Sequence, residues 1–92
     1  MSKWNDVKRN ITSLSPEEWD AVDLKVKIVG EMLEARQKAG MTQTELENLT
    51  GIKQTFIARF ENNKTDPQLT TVLKLLRPLG LTLDVVPLSS RQ

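Results

Sequence analysis

The chain contains no cysteine, no histidine and no tyrosine. Without thiols it forms neither a disulfide framework nor a thiolate zinc site. Without imidazole it lacks the commonest general base and the commonest metal ligand. Two Trp and two Phe are the only aromatic side chains, so the core is expected to be mostly aliphatic. Charge of either sign barely prevails: 13 Lys and Arg against 12 Asp and Glu give a net charge of +1. Strongly basic domains are the usual footprint of nucleic-acid binding, so a partner of that kind must be met by local placement of charge. No run approaches the ~20 apolar residues of a membrane span, and "MSKWNDVKRN" lacks the apolar core of a signal peptide. The expectation is a cytoplasmic protein with no membrane contact, metal or cofactor.

What remains is 92 residues, one domain's worth of chain, punctuated by Gly and Pro and free of repeats or low complexity. Trp4, Val7 and Ile11 lie on one side of a short predicted helix. In "SPEEWDAVDLKVKIVGEMLEARQKAG", Ser15 is a good N-cap, Pro16 suits the first helical position and Glu18 completes a capping box. Two apolar stripes follow: Trp19, Val22, Val26, Val29 and Leu33, then Leu24, Ile28, Met32, Ala35 and Ala39. They predict one long helix ending near Ala39, packed on both sides in its C-terminal half, with Gly40 as terminator. A second capping box, Thr42 to Glu45, opens a helix that turns Leu46 and Leu49 inward. Gly51 and Ile52 make a turn into "KQTFIARFE", where Lys53, Phe56, Ile57 and Phe60 share the inward face. Asp66 is expected to cap, and Pro67 to start, a further helix that buries Leu69, Val72, Leu73 and Leu76 and ends near Pro78. The period then changes. In "LTLDVVP", Leu81, Leu83 and Val85 alternate with Thr82, Asp84 and Val86, which reads as a strand. A lone strand cannot satisfy its own backbone, so a copy of itself in a second chain is the economical partner.

Two short helices joined by a Gly-containing turn, the second with an outward face of Gln54, Thr55, Ala58, Arg59 and Asn62, form the helix-turn-helix pattern. Gln pairs with adenine through N6 and N7, Arg with guanine through O6 and N7, and Thr sets its methyl against thymine. Gln54, Thr55 and Arg59 are therefore the candidate base readers. Gln43 and the amides at its helix start suit a phosphate, as do Asn62 and Lys64 beyond the second helix. Thr42 and Lys53 join that phosphate set. The bland reading, a solvated polar face, is the usual fate of an isolated helix; the turn and the capped helix before it tell against that here. No catalytic residue is proposed. Asp20 with Asp23 and Glu31 with Glu34 are paired only by helical spacing, with no nucleophile or metal cluster beside them, so an enzyme is not expected.

"MTQTELENLTGIKQTFIARFENNKTDPQLTTVLKLLRPLGLTL" resembles the Cro/C1-type (XRE) helix-turn-helix domain over about half the chain. On that resemblance Gln43 matches a phosphate-contacting glutamine, while Gln54, Thr55 and Arg59 fall on base-reading positions and Asn62 on a backbone-contacting one. The wider chain is similar to HigA-type antitoxins, with Phe56 where a smaller residue or proline is usual. The resemblance implies an all-α, five-helix, lambda-repressor-like domain (residues 25–80), an N-terminal helical extension (1–24) and a C-terminal strand and tail (81–92). It also implies a homodimer that represses its own operon at palindromic double-stranded DNA, and a RelE-like, HigB-type mRNA-cleaving toxin as partner. A stand-alone dimeric XRE-family repressor is the alternative.

The acidic stretch "SPEEWDAVD" offers Glu17, Glu18, Asp20 and Asp23 beside Trp19, and with Trp4 and Val7 it is the candidate toxin surface. Its simpler reading is local: acids favour a helix N-terminus, and Trp19 belongs to the packing stripe. Leu81, Leu83, Val85 and Val86 are the candidate dimerisation residues.

Overall fold

The computed structural model describes residues 14–88. They contain four α-helices and one 3-10 turn: α1 Pro16–Lys38, α2 Gln43–Thr50, α3 Gln54–Glu61, α4 Leu69–Leu76 and the turn Arg77–Leu79. The expected short helix at Trp4–Ile11 lies outside the described residues. Residues 25–80, expected to hold five helices, hold the rest of α1, then α2, α3, α4 and the 3-10 turn, so the domain has four helices rather than five.

Both predicted capping boxes form. Ser15 Oγ accepts from the Glu18 amide at 3.1 Å while Glu18 Oε1 accepts from the Ser15 amide at 2.7 Å. Thr42 and Glu45 repeat the exchange at 3.0 and 2.8 Å. These bonds satisfy amides that the first helical turn leaves without partners. α1 closes at its far end through Gly40, whose amide donates to the Gln37 carbonyl while that of Met41 donates to Arg36.

The core is one cluster drawn from every helix: Val29 and Met32 of α1, Leu46 of α2, Ile57 and Phe60 of α3, and Val72, Leu75 and Leu76 of α4. Three of its helices are eight residues long, about 12 Å each, whereas the 23 residues of α1 reach about 34 Å. α1 therefore overshoots the core. Its N-terminal half carries Val22, Leu24 and Val26 into solvent at 41, 51 and 53% exposure, where the sequence pattern predicts a packed stripe. α1 runs unbroken through residues 24 and 25, where the expected extension meets the expected DNA-binding unit.

Other expectations are corrected. Leu49 and Leu69 are exposed, and Leu75 takes the fully buried place in α4. Lys53 is also exposed; it flanks α3 rather than packing within the inward face. α4 starts at Leu69 with Gln68 as N-cap, two residues later than Asp66 and Pro67 suggest. Asp66 does not cap: its side chain is 98% exposed, with Oδ1 3.8 Å from Lys25 Nζ, which also donates to the Thr65 carbonyl at 3.1 Å.

No strand forms among the described residues; 81–87 carry no regular structure. Leu81 and Leu83 instead pack against the helical core, and the Val85 amide donates to Asp84 Oδ1 at 2.7 Å. The described chain supplies no second strand, so the alternating pattern has no ladder to join.

Candidate nucleic-acid interface

α2 and α3 meet through a turn built from the chain itself. Thr50, the last residue of α2, donates its hydroxyl to the Leu46 carbonyl at 2.8 Å and accepts from the Ile52 amide at 3.1 Å. Gly51 then reverses the chain at φ +78°, a left-handed conformation that side chains with a Cβ adopt only under strain. Lys53 precedes α3 and provides no side-chain cap. Glu47 of α2 supplies it from across the turn, with Oε1 accepting from the Gln54 amide at 2.9 Å. An acid at this helix start also opposes the positive end of the helix dipole.

α3 is anchored by Ile57 and Phe60, which are 0 and 1% exposed. Phe56 lies half-buried against the same cluster, so its bulk is accommodated. The opposite side presents Thr55 and Arg59 to solvent. α3 ends with Asn63 left-handed at φ 59°, the Asn63 amide donating to Phe60 and the Lys64 amide to Arg59. Asn62 turns its amide group back onto the Ala58 carbonyl at 2.8 Å, and Arg59 reaches the Lys64 carbonyl at 3.4 Å. Lys53, Asn62 and Lys64 are all exposed around the ends of α3.

Gln43 and Gln54, predicted for different roles, are bonded to each other. Gln54 Nε2 donates to Gln43 Oε1 at 2.5 Å, and Gln43 Nε2 donates to Glu61 Oε1 at 2.7 Å. Glu61 is held in turn by Arg36 from the end of α1, with Nε to Oε2 at 2.6 Å and Nη2 to Oε1 at 2.9 Å. One polar chain therefore runs from α1 through α3 and α2 to the first residue of α3. Thr42, exposed beside Gln43, uses its hydroxyl oxygen in the cap and keeps its proton available to donate. An open depression of about 460 Å³ adjoins this chain, lined by Arg36, Met41, Thr42, Gln43, Thr44 and Gln54 among others.

The structure thus brings Gln43, Gln54, Thr55 and Arg59 to the α2–α3 side of the molecule. Glu17, Glu18, Trp19, Asp20 and Asp23 stand on the overshooting half of α1; all but the half-buried Trp19 are exposed. Trp4 and Val7 lie outside the described residues. Leu81 and Leu83 are half-buried, whereas Val85 and Val86 are exposed. Sequence reasoning missed Arg36, Glu47 and Glu61. A signal existed only for Glu47: a helix starting after Lys53 lacks a capping side chain of its own and must borrow one.

No helix among the described residues is long and apolar enough to cross a membrane, and no group of acidic side chains among them is arranged to hold a metal. Across 95% of its length the chain is 46% identical to an uncharacterised HTH-type transcriptional regulator of Haemophilus influenzae, spanning 87% of that protein. It is 48% identical over 48 residues to the antitoxin HipB of Escherichia coli, which is 52% of this chain and 51% of that protein. A chain of a toxin–antitoxin module from Streptococcus pneumoniae superposes with a TM-score of 0.71 at 48% identity, each chain covered to 96%. The helix-turn-helix family model matches residues 32–86, which contain the last turns of α1 and all of α2, α3 and α4. The chain belongs to the helix-turn-helix family.

Proposed function

We propose that this protein reads an operator through α3 and neutralises a toxin encoded beside it. The observation that carries the first half is the row of exposed Thr55 and Arg59 beside half-buried Gln54, on a helix whose other face is locked into the core by Ile57 and Phe60. Such a helix presents its N-terminal residues rigidly to a major groove, the docking geometry of helix-turn-helix proteins. Gln54, Thr55 and Arg59 supply the base contacts; Thr42, Gln43, Lys53, Asn62 and Lys64 supply the phosphate contacts that fix register.

Likeness to the Streptococcus pneumoniae chain supports the antitoxin half, because it extends over the overshooting part of α1 as well as the DNA-binding unit. That part exposes Val22, Leu24 and Val26 on a segment also bearing Glu17, Asp20 and Asp23, a surface suited to a basic, RNA-cleaving partner of the RelE-like class. The protein acts as a homodimer of the HigA type at a palindromic site. Its two copies of 81–87 pair across the two-fold axis, setting the α3 helices about 34 Å or a multiple of it apart.

Gln54→Ala and Arg59→Ala test the DNA reading. Each is expected to lose about 1–3 kcal/mol of operator discrimination while its circular dichroism spectrum is unchanged. Unaltered discrimination in a gel-shift titration would refute the assignment. For the toxin, co-expression with the neighbouring reading frame should yield a co-purifying pair and rescue growth. A neighbour that is neither toxic nor bound leaves the protein as a stand-alone repressor.

A further inference from the structure

Three side chains stand in a fixed order of hydrogen-bonding sense. Glu61, occupied by the Arg36 guanidinium on both oxygens, has acceptors to offer and no hydrogen to give. Gln43 must therefore turn its Nε2 toward Glu61, at 2.7 Å, which leaves its Oε1 facing Gln54. Gln54 meets that oxygen with its own Nε2 at 2.5 Å, using one of its two amide hydrogens. What Gln54 has left is one N–H and one carbonyl oxygen. In the major groove adenine shows one acceptor, N7, and one donor, the N6 amino group, whereas guanine shows two acceptors, N7 and O6. The remainder on Gln54 matches adenine. Against guanine, Oε1 would face another acceptor.

We infer that Glu61 is a specificity-determining positioning residue which, acting through Gln43, fixes the direction of the Gln54 amide and commits it to adenine over guanine. Glu61 touches no base; it decides which atoms another residue presents. The inference rests on the base-reading role proposed above for Gln54.

The test is selection of binding sites from a randomised duplex library by the full chain and its variants. The wild type is expected to enrich adenine at one position per half-site, and Gln54→Ala to flatten that position. Glu61→Gln has an amide that can face either way, so the order is no longer enforced. It should reduce the adenine-to-guanine preference at that position about tenfold and leave the other positions as they were. A loss of stability alone would weaken every position together. A folded Glu61→Gln that keeps its full adenine preference overturns the inference. A wild type that enriches no sequence at all takes the base-reading proposal down with it. Should Glu61→Gln not fold, Gln43→Met decides, since it cuts the chain while leaving Arg36 and Glu61 paired. It is expected to show the same loss of adenine preference on top of lower overall affinity, and an undiminished preference there overturns the inference.

Discussion

Arg36 and Glu61, 25 positions apart, are joined through two parallel hydrogen bonds of 2.6 and 2.9 Å with side chains only 12 and 6% exposed. A third guanidinium nitrogen, Nη1, donates to the Met41 carbonyl at 2.8 Å. One arginine thus ties the end of α1 to the loop before α2 and to the last residue of α3. Bidentate pairing fixes direction as well as distance, so the relation restricts how α3 sits on the body. Its net contribution to stability is another matter, because well-packed apolar residues of similar volume often serve a core as well as a buried ion pair does.

Removing only one partner should therefore be far worse than removing both. Arg36→Met leaves the Glu61 carboxylate buried without its cation and is expected to cost about 3–5 kcal/mol. Arg36→Met combined with Glu61→Leu should recover most of that loss. Urea unfolding of the two single variants and the double variant gives the coupling. A loss below about 1 kcal/mol in Arg36→Met would show that water reaches the pair after all.

Two glycines should respond to alanine with opposite signs. Gly30 sits inside α1 with no neighbouring atom within 4 Å of the place a Cβ would take, and its backbone angles are ordinary. Alanine there lowers the entropy of the unfolded chain and should stabilise by about 0.5–1 kcal/mol. Gly51 has equal room but stands at φ +78°, so its alanine variant carries a backbone cost of about 1 kcal/mol. Thermal denaturation of both variants should shift in opposite directions; shifts of the same sign would contradict the turn geometry.

The parts of this fold that were legible in the sequence are those decided within a few residues. Ser15 with Glu18 and Thr42 with Glu45 announce helix starts because each bond spans three positions. The inward pair Ile57 and Phe60 is equally local. Contacts between residues far apart along the chain leave no such local signal. Nothing near Glu61 signals that Arg36 will meet it, and nothing near Thr65 signals that Lys25 will donate to its carbonyl. Periodicity also says which residues share a face without saying how far the facing core extends. Hence the stripe through Val22 and Val26 is real as a pattern yet projects past the core. The polar side of α3 is legible from helical spacing; the hydrogen-bonded chain from Gln54 through Gln43 to Glu61 is not.

Phosphate and base contacts should separate in their salt dependence. Lys64 is exposed just beyond α3, and Lys64→Ala is expected to weaken binding to all duplexes alike and reduce the salt slope by about one. Arg59→Ala should instead relax preference at one base position. Fluorescence anisotropy on the selected site and on an unrelated duplex, each at several salt concentrations, makes the comparison. Equal losses on both duplexes from Arg59→Ala would move that arginine into the phosphate set.

The proposed pairing of 81–87 between two copies makes a claim about the backbone. Val85 is 93% and Val86 58% exposed, so neither contributes much to the folded single chain. Val86→Pro removes a backbone donor and should leave unfolding of the monomer within about 0.5 kcal/mol of wild type. If the segment forms a ladder across a two-fold axis, the same change should raise the dimer dissociation constant about tenfold, the effect of losing about 1.4 kcal/mol. Sedimentation equilibrium reads this directly. DNA should report it independently: an obligate two-site binder broken into monomers contacts half the phosphates, so its salt slope should fall to about half. A Val86→Pro dimer as tight as wild type would move the two-fold contact from this segment to the helices, with the exposed Leu49 and Leu69 as the first residues to change.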